Sequence, residues 1–241
     1  MSLDVVRQTF EKLGREDPLY GVLTDHARRH NQWDPAEFFA TGVQEVDGVM
    51  AYLDSRGLTI ARGDVLDFGC GVGRLSQAFA AHFERVTGVD IADTMIANAC
   101  EYNRHGDRVR YVVNTVDDLS QLESATFDFV YSNITLQHMP PEAATRYIQE
   151  FFRLLRPGGH VVFQVPSGER FTPGSLSGIW YTFRRRHWRR FWKVIRGRAP
   201  YEMHCIPRGD VEQVIAASGG RLLDTVLVSG SENYRYCAVR S

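Results

Sequence analysis

The sequence predicts an α/β domain built on a doubly wound parallel sheet, and three observations carry that expectation. Short apolar runs near residues 64–68, 86–90, 109–113, 127–131 and 160–165 have the length and composition of strands, and the helices between them begin near 73, 93 and 142. The first run passes straight into a glycine-rich turn, Val65-Leu-Asp-Phe-Gly-Cys-Gly-Val-Gly73. The second, Val86-Thr-Gly-Val-Asp90, closes on an acid. Strands that alternate with helices pair in parallel and gather ligands at their carboxyl edge, at the switch point beside the first strand.

Each element has a local reason. Residues 1–56 are expected to form an N-terminal helical cap, because Asp34-Pro35-Ala-Glu37 places an acid at the N-cap, proline at the first helical position and glutamate at the third, a capping box with aspartate in the cap role. Tyr20, Trp33, Phe38 and Phe39 of this segment either form a lid or anchor its helices to the sheet. Pro140-Pro141-Glu142 suits a helix start and Pro157-Gly158-Gly159 a helix stop. Gly219-Gly220 breaks the chain before Leu222–Val228, which with Tyr234–Val239 reads as a terminal antiparallel pair.

Between the fifth strand and that pair lies a helical insertion, about residues 167–206. Trp188, Phe191, Trp192 and Ile195 are spaced i, i+3, i+4 and i+7 and give one apolar face. Eight basic residues, Arg184, Arg185, Arg186, Arg189, Arg190, Lys193, Arg196 and Arg198, crowd the remainder, out of 28 Lys plus Arg in the chain.

Composition bounds the function classes. A chain of 241 residues, 44% hydrophobic and 24% charged, can bury one α/β core with additions. A net charge of -1 argues against general nucleic-acid binding. No apolar run reaches the roughly 18 to 20 residues that span a bilayer, and Asp4, Arg7, Glu11 and Lys12 interrupt any signal-peptide core, so a cytoplasmic location is expected. Cys70, Cys100, Cys205 and Cys237 form no C-x-x-C pair, and neither a disulfide frame nor a thiolate metal site is indicated.

The chemistry concentrates at the first two strand tips. Glycines stand at 69, 71 and 73, and Arg74 occupies the place of the last glycine in the dinucleotide fingerprint. Asp67, two residues before the first glycine, puts an anion where a pyrophosphate would gain nothing from it, which points to a nucleoside ligand carrying positive charge. Gly69 and Gly71 let the backbone approach that ligand, and Asp90 can accept hydrogen bonds from both ribose hydroxyls. His138, just beyond the fourth strand in Ser132-Asn-Ile-Thr-Leu-Gln-His138-Met-Pro140, is the candidate general base, against the plainer role of ordering its loop. His204, after Tyr201-Glu-Met203, is a second candidate for substrate contact.

These motifs resemble those of the class I S-adenosylmethionine-dependent methyltransferases. Asp67-Phe-Gly-Cys-Gly-Val-Gly73 looks like their first motif, Val89-Asp90-Ile91 like the ribose and adenine contact, Phe127-Asp-Phe-Val-Tyr131 like the fourth strand, and Leu155-Arg-Pro-Gly-Gly159 like the turn before the fifth. The resemblance covers about residues 43–166 and resumes near 207. It implies a Rossmann-like seven-stranded sheet with the last strand antiparallel, S-adenosyl-L-methionine as cofactor, and an N-terminal segment folded over it.

By the same resemblance, Asp67 faces the methionyl amino group, Gly69, Cys70 and Gly71 line the cofactor, Ile91 covers adenine, and Asn133 lies near the methionyl carboxylate. One of Thr115, Val116 and Asp117 is expected at the adenine amino group. Some related O-methyltransferases, including those acting on quinone precursors, bind a divalent cation through glutamates where this chain has Ile134 and Gln137; two hard oxygen ligands are thus missing, and a metal site is left open without support. No Asn-Pro-Pro-Tyr-like signature follows the fourth strand, which disfavours protein and nucleic-acid acceptors.

The acceptor is therefore expected to be a small molecule methylated on a hydroxyl oxygen, with a saccharide or glycosylated metabolite as a candidate. Tyr20, Trp33, Tyr181, Trp188 and His204 are the candidate contacts, and Trp180, Tyr181 and Trp188 suit either a sugar ring or a flat aromatic. For the helix near 184–198, a solvated lid, a basic rim for an anionic acceptor, and peripheral docking on an acidic membrane stay open. A small-amine acceptor, a non-catalytic cofactor-binding scaffold and a nucleotide-binding oxidoreductase remain the alternatives, and the oligomeric state is open.

Overall fold

A computed structural model describes residues 3–168, 203–228 and 233–241. Seven strands form one sheet: β1 (Asp64–Phe68), β2 (Arg85–Asp90), β3 (Val109–Val113), β4 (Phe127–Ser132), β5 (Leu155–Pro166), β6 (Gly220–Leu227) and β7 (Asn233–Arg240). Their order is β3-β2-β1-β4-β5-β7-β6; the first five are parallel, and β7 runs antiparallel to both β5 and β6. The order reverses between β1 and β4, and their carboxyl ends form the crevice that a doubly wound sheet offers to ligands.

Side chains alternate across the central strands and feed two cores. Leu66 and Phe68 of β1, with Val161, Phe163 and Val165 of β5, pack against α6 (Pro141–Leu154) and α7 (Arg208–Ala217) through Tyr147, Ile148, Phe151, Val211 and Ile215. Val65 and Val162 point the other way, onto α3 (Pro35–Ser55) and α4 (Arg74–Phe79), where Val46, Met50, Leu53 and Phe79 are buried. Phe83 stacks on Phe129 there, with centroids 5.7 Å apart.

The N-terminal residues are helical, as α1 (Leu3–Glu16), α2 (Pro18–Val22) and α3. At the start of α3, Asp34 Oδ1 accepts the Glu37 amide at 3.0 Å with Pro35 beside it. The returning half of the expected box is redirected, because the Glu37 carboxylate pairs with Arg28 at 2.8 Å. α1 docks on α5 (Asp93–Tyr102), whose N-cap, Ala92, has no side-chain acceptor. Glu11 supplies it from outside, accepting the amides of Asp93 at 2.8 Å and Thr94 at 3.3 Å. Arg7 adds an ion pair to Asp93 at 2.7 Å.

One boundary differs from the sequence reading. Pro157-Gly158-Gly159 does not end a helix ahead of a strand at 160; α6 gives way directly to β5 at Leu155. Phe127 pairs with Leu155 and Phe129 with His160, so the proline and glycines form an irregularity inside the β4–β5 pairing. The antiparallel terminal pair is as expected, β6 beginning at Gly220.

α3 packs tightly on α4 at Gly42, where a Cβ would collide with the Arg74 carbonyl; a Cβ on Gly48 of the same helix would meet nothing within 4 Å. Gly42→Val is therefore expected to lower stability by about 1–3 kcal/mol in chemical denaturation, whereas Gly48→Ala raises it by about 0.5–1 kcal/mol. Equal effects would contradict the close approach.

Candidate active site

A cavity of about 460 Å³ opens at the carboxyl edge of β1, β2 and β4. Its floor is the turn after β1. Gly69 has φ +79° and Gly71 φ +53°; a Cβ on the first would collide with Thr135, and on the second with Val22 of the cap, so these positions need glycine for both backbone and space.

Four of the turn's amides are engaged internally. Those of Gly69 and Cys70 donate to the Val89 carbonyl at 2.8 and 3.0 Å, and that of Gly73 to Cys70 at 2.9 Å. The Gly71 amide donates to Asp90 Oδ2 at 2.9 Å, while Asp90 Oδ1 accepts the Ala92 amide at 3.0 Å. Asp90 thus lines the cavity with its carboxylate fixed by backbone. Burial still pushes its pKa up, against those hydrogen bonds.

Asp67 sits one layer deeper, 1% exposed and outside the cavity wall. Its carboxylate accepts Ser76 Oγ at 2.6 Å. Burial raises its pKa to about 7, against the pull of Ser76 and of the Arg74 guanidinium. Arg74, the first residue of α4, is 4% exposed and pairs with Glu45 of α3 at 2.6 Å. Glu45 also accepts Asn133 Nδ2 at 2.6 Å and the Tyr131 hydroxyl at 3.0 Å. Arg74 and Asn133 both line the cavity.

Gly69, Cys70, Gly71, Asp90, Ile91, Asn133 and His138 come together around this one space. Thr115, Val116 and Asp117 do not; they line a separate recess beside Pro140 and Glu142. The cause is Asn114, which turns inward at the end of β3. Its Nδ2 donates to the Val116 and Asp118 carbonyls, both at 2.9 Å, and its Oδ1 accepts Gln121 Nε2 at 2.8 Å. The chain is bent outward around it, Val116 is 51% exposed, and Asp117 pairs with Arg146. Asn114 itself faces the cavity.

On the far side of the cavity, β4 runs into a 3-10 turn, Leu136–His138. Ile134 just before it has φ +59° and is 39% exposed on the cavity wall. A β-branched residue there carries strain on the order of 1–3 kcal/mol, a cost that recurs where chain direction serves a site. His138 meets the Phe10 ring edge-on at 5.7 Å. The His204 amide donates to the Gln137 carbonyl at 2.8 Å and so sets a second imidazole beside it. Burial, helped by His204, lowers the His138 pKa to about 4.

The cap closes the space with Val6, Phe10, Val22, Leu23 and Thr24, none of which the sequence singled out. Tyr20 and Trp33 lie outside the wall. Trp33 packs edge-on to Phe38 at 5.6 Å and donates its indole N–H to the Leu23 carbonyl at 3.2 Å; Arg29 lies 5.9 Å from the Tyr20 ring. Of these, Phe10 of α1, Val22 of α2 and Leu23 just after it belong to the same apolar cluster as Leu13 and Leu19, and read in sequence as ordinary core residues. Glu45 carried no signal at all, as one acid on an amphipathic helix. Trp180, Tyr181, Trp188 and the basic helix near 184–198 lie outside the described residues. Among those described, no helix is long and apolar enough to cross a membrane.

Comparison with known proteins agrees with this geometry. Residues 65–159 match a family model described as a methyltransferase domain. The ubiquinone biosynthesis O-methyltransferase of Nitrosospira multiformis is 32% identical over 136 residues, 56% of this chain and 55% of that protein. The malonyl-[acyl-carrier protein] O-methyltransferase of Enterobacter lignolyticus is 31% identical over 144 residues, 60% of this chain and 50% of its own length. The chain thus spans about half the length of the curated relatives it matches. Magnesium protoporphyrin IX methyltransferase from Synechocystis PCC 6803, solved with bound SAH, shares the fold at a TM-score of 0.62, with 24% identity over 99% of both chains. Over residues 65–159 the chain is accordingly similar to methyltransferase domains, in line with its resemblance to the class I S-adenosylmethionine-dependent family.

Proposed function

We propose that the chain transfers the methyl group of S-adenosylmethionine to an oxygen of a small, largely apolar acceptor, with residues 57–241 as the catalytic domain and 1–56 as its cap. The observation that carries this reading is the engagement of the Gly69, Cys70, Gly71 and Gly73 amides by acceptors of the protein itself. A pyrophosphate held at such a turn requires free N–H groups. Asp67 and Asp90 set two acids beside it; burial raises both pKa values, and a cationic adenosyl sulfonium favours their ionised forms, whereas a diphosphate gains nothing from them.

In this reading Asp90 keeps lone pairs for the ribose hydroxyls, Ile91 covers adenine, and Asn114 takes the adenine edge in place of Thr115, Val116 or Asp117. Asp67 acts on the cationic end through the layer above it. When bound, the cofactor supplies an electrophilic methyl carbon. The protein then has to hold an acceptor oxygen about 3 Å from that carbon, in line, and receive its proton.

The O-methyltransferase names of the relatives support oxygen as the acceptor atom. The carbon-rich wall of Val6, Phe10, Ile134, Met139 and Met203 supports an apolar acceptor. His138 is the base. With its pKa near 4 it is neutral at pH 7 and ready to accept, and so weak a base favours an acidic hydroxyl, such as a phenol, over the aliphatic hydroxyl of a sugar. The saccharide alternative rests on Trp180, Tyr181 and Trp188, outside the described residues.

Titration calorimetry with S-adenosylhomocysteine and NAD tests the cofactor assignment: the first is expected to bind and the second not, and binding of NAD alone would overturn it. His138→Ala is expected to lower turnover of the true acceptor by about 10²-fold or more with cofactor affinity unchanged. An unaltered rate would leave His138 a structural role.

The raised Asp67 pKa has a sign that can be measured. A ligand cation favours the carboxylate, so binding S-adenosylmethionine drives a proton off. Affinity should rise with pH up to about 7, and calorimetry in buffers of differing ionisation enthalpy should register proton release, largely lost in Asp67→Asn. Proton uptake would contradict the assignment.

A further inference from the structure

Among the described residues, four other than glycine have positive φ, namely His30, Asn31, Ala125 and Ile134, and of these only Ile134 is β-branched. The left-handed region tolerates histidine and asparagine far better than a β-branched side chain. The course of the chain does not call for isoleucine there. Neighbours hold the backbone on both sides: Asn133 Nδ2 donates to Glu45 at 2.6 Å, and Thr135 Oγ1 donates to the Asn133 carbonyl at 3.1 Å and the Phe68 carbonyl at 3.4 Å. With the path set by residues 133 and 135, glycine or asparagine at 134 would follow it without the strain.

Packing does not offset the strain either. Ile134 is 39% exposed, stands outside the three apolar clusters of the described residues, and lies on the cavity wall. Six large apolar side chains are exposed among the described residues, and only Ile134 and Met203 of the six border this cavity. Met203 is held there by its neighbour, because the His204 amide donates to the Gln137 carbonyl of the turn that follows Ile134, at 2.8 Å. His138 of the same turn borders the same space. A strained apolar side chain that serves neither chain direction nor core is explained by what it meets when the site is filled.

We propose that Ile134 is a specificity-determining residue: its side chain, with that of Met203, forms a carbon platform for a flat, apolar acceptor whose hydroxyl faces His138. The proposal rests on the cofactor reading above and adds the residue that selects the acceptor's polarity. It also gives the strain a function, since relieving it would remove the platform.

The test is calorimetry on the protein saturated with S-adenosylhomocysteine, with 2-naphthol, a flat, uncharged ring pair carrying one hydroxyl, as the probe. The wild-type protein is expected to bind it with a dissociation constant below about 0.1 mM. Ile134→Asn suits the left-handed backbone and replaces the carbon face by an amide. It is expected to melt about 2–4 °C higher than the wild type, to bind S-adenosylhomocysteine within about twofold, and to lose 2-naphthol affinity by about tenfold or more. Ile134→Gly, equally suited to the backbone, is the second variant and should act in the same sense. Ile134→Val keeps the apolar face and should hold 2-naphthol within about threefold. A rise in stability with a loss of ligand is a combination that a residue serving only the fold does not give. A lower melting temperature in both strain-relieving variants would assign the side chain to the fold, and unchanged 2-naphthol affinity would remove it from the site. Either result overturns the proposal, as does a wild-type protein that binds no 2-naphthol. Binding of 2-naphthol by a protein that binds no S-adenosylhomocysteine would mark the failure of the cofactor reading instead.

Discussion

The Gly71 amide and the Asp90 carboxylate meet at 2.9 Å across the tips of β1 and β2, and the cavity end of the molecule is organised around that bond. It holds the glycine turn against the second strand and fixes the carboxylate at the cavity edge. It also removes a donor that a phosphate would need. With the Gly69 and Cys70 amides bound to the Val89 carbonyl, the turn is a spacer between two acids rather than an anion cradle. The same close approach sets the cap, because Val22 packs where a side chain on residue 71 would project.

The cavity is completed by residues that precede the sheet in the chain. Val6, Phe10 and Val22 form its roof, and α1 is held there by Glu11, which caps α5 from outside. α3 reaches the opposite end through Gly42 and brings Glu45 to Arg74, Tyr131 and Asn133. Part of the cavity wall therefore comes from a segment outside the matched residues 65–159.

Much of this was legible in the sequence where a local rule applies. Strand and helix succession follows from periodicity, and the start of α3 from Asp34 and Pro35. The clustering of Asp90, Ile91, Asn133 and His138 follows from their places at strand ends, which a parallel sheet must bring to one edge. What was not legible depends on long-range packing. Nothing local says that Asn114 turns inward and pushes Thr115, Val116 and Asp117 off the wall, or that Pro157-Gly158-Gly159 sits within a strand pairing. Phe10 reads as any apolar helix residue, and Glu45 as any surface acid, until their partners from distant parts of the chain are in place.

A crystal structure of the complex with S-adenosylhomocysteine tests the central claim most directly. The ribose hydroxyls should lie within hydrogen-bond distance of Asp90, with the Gly71 amide still donating to the same carboxylate. A complex in which that amide has left Asp90 to bind an anionic ligand group would contradict the account.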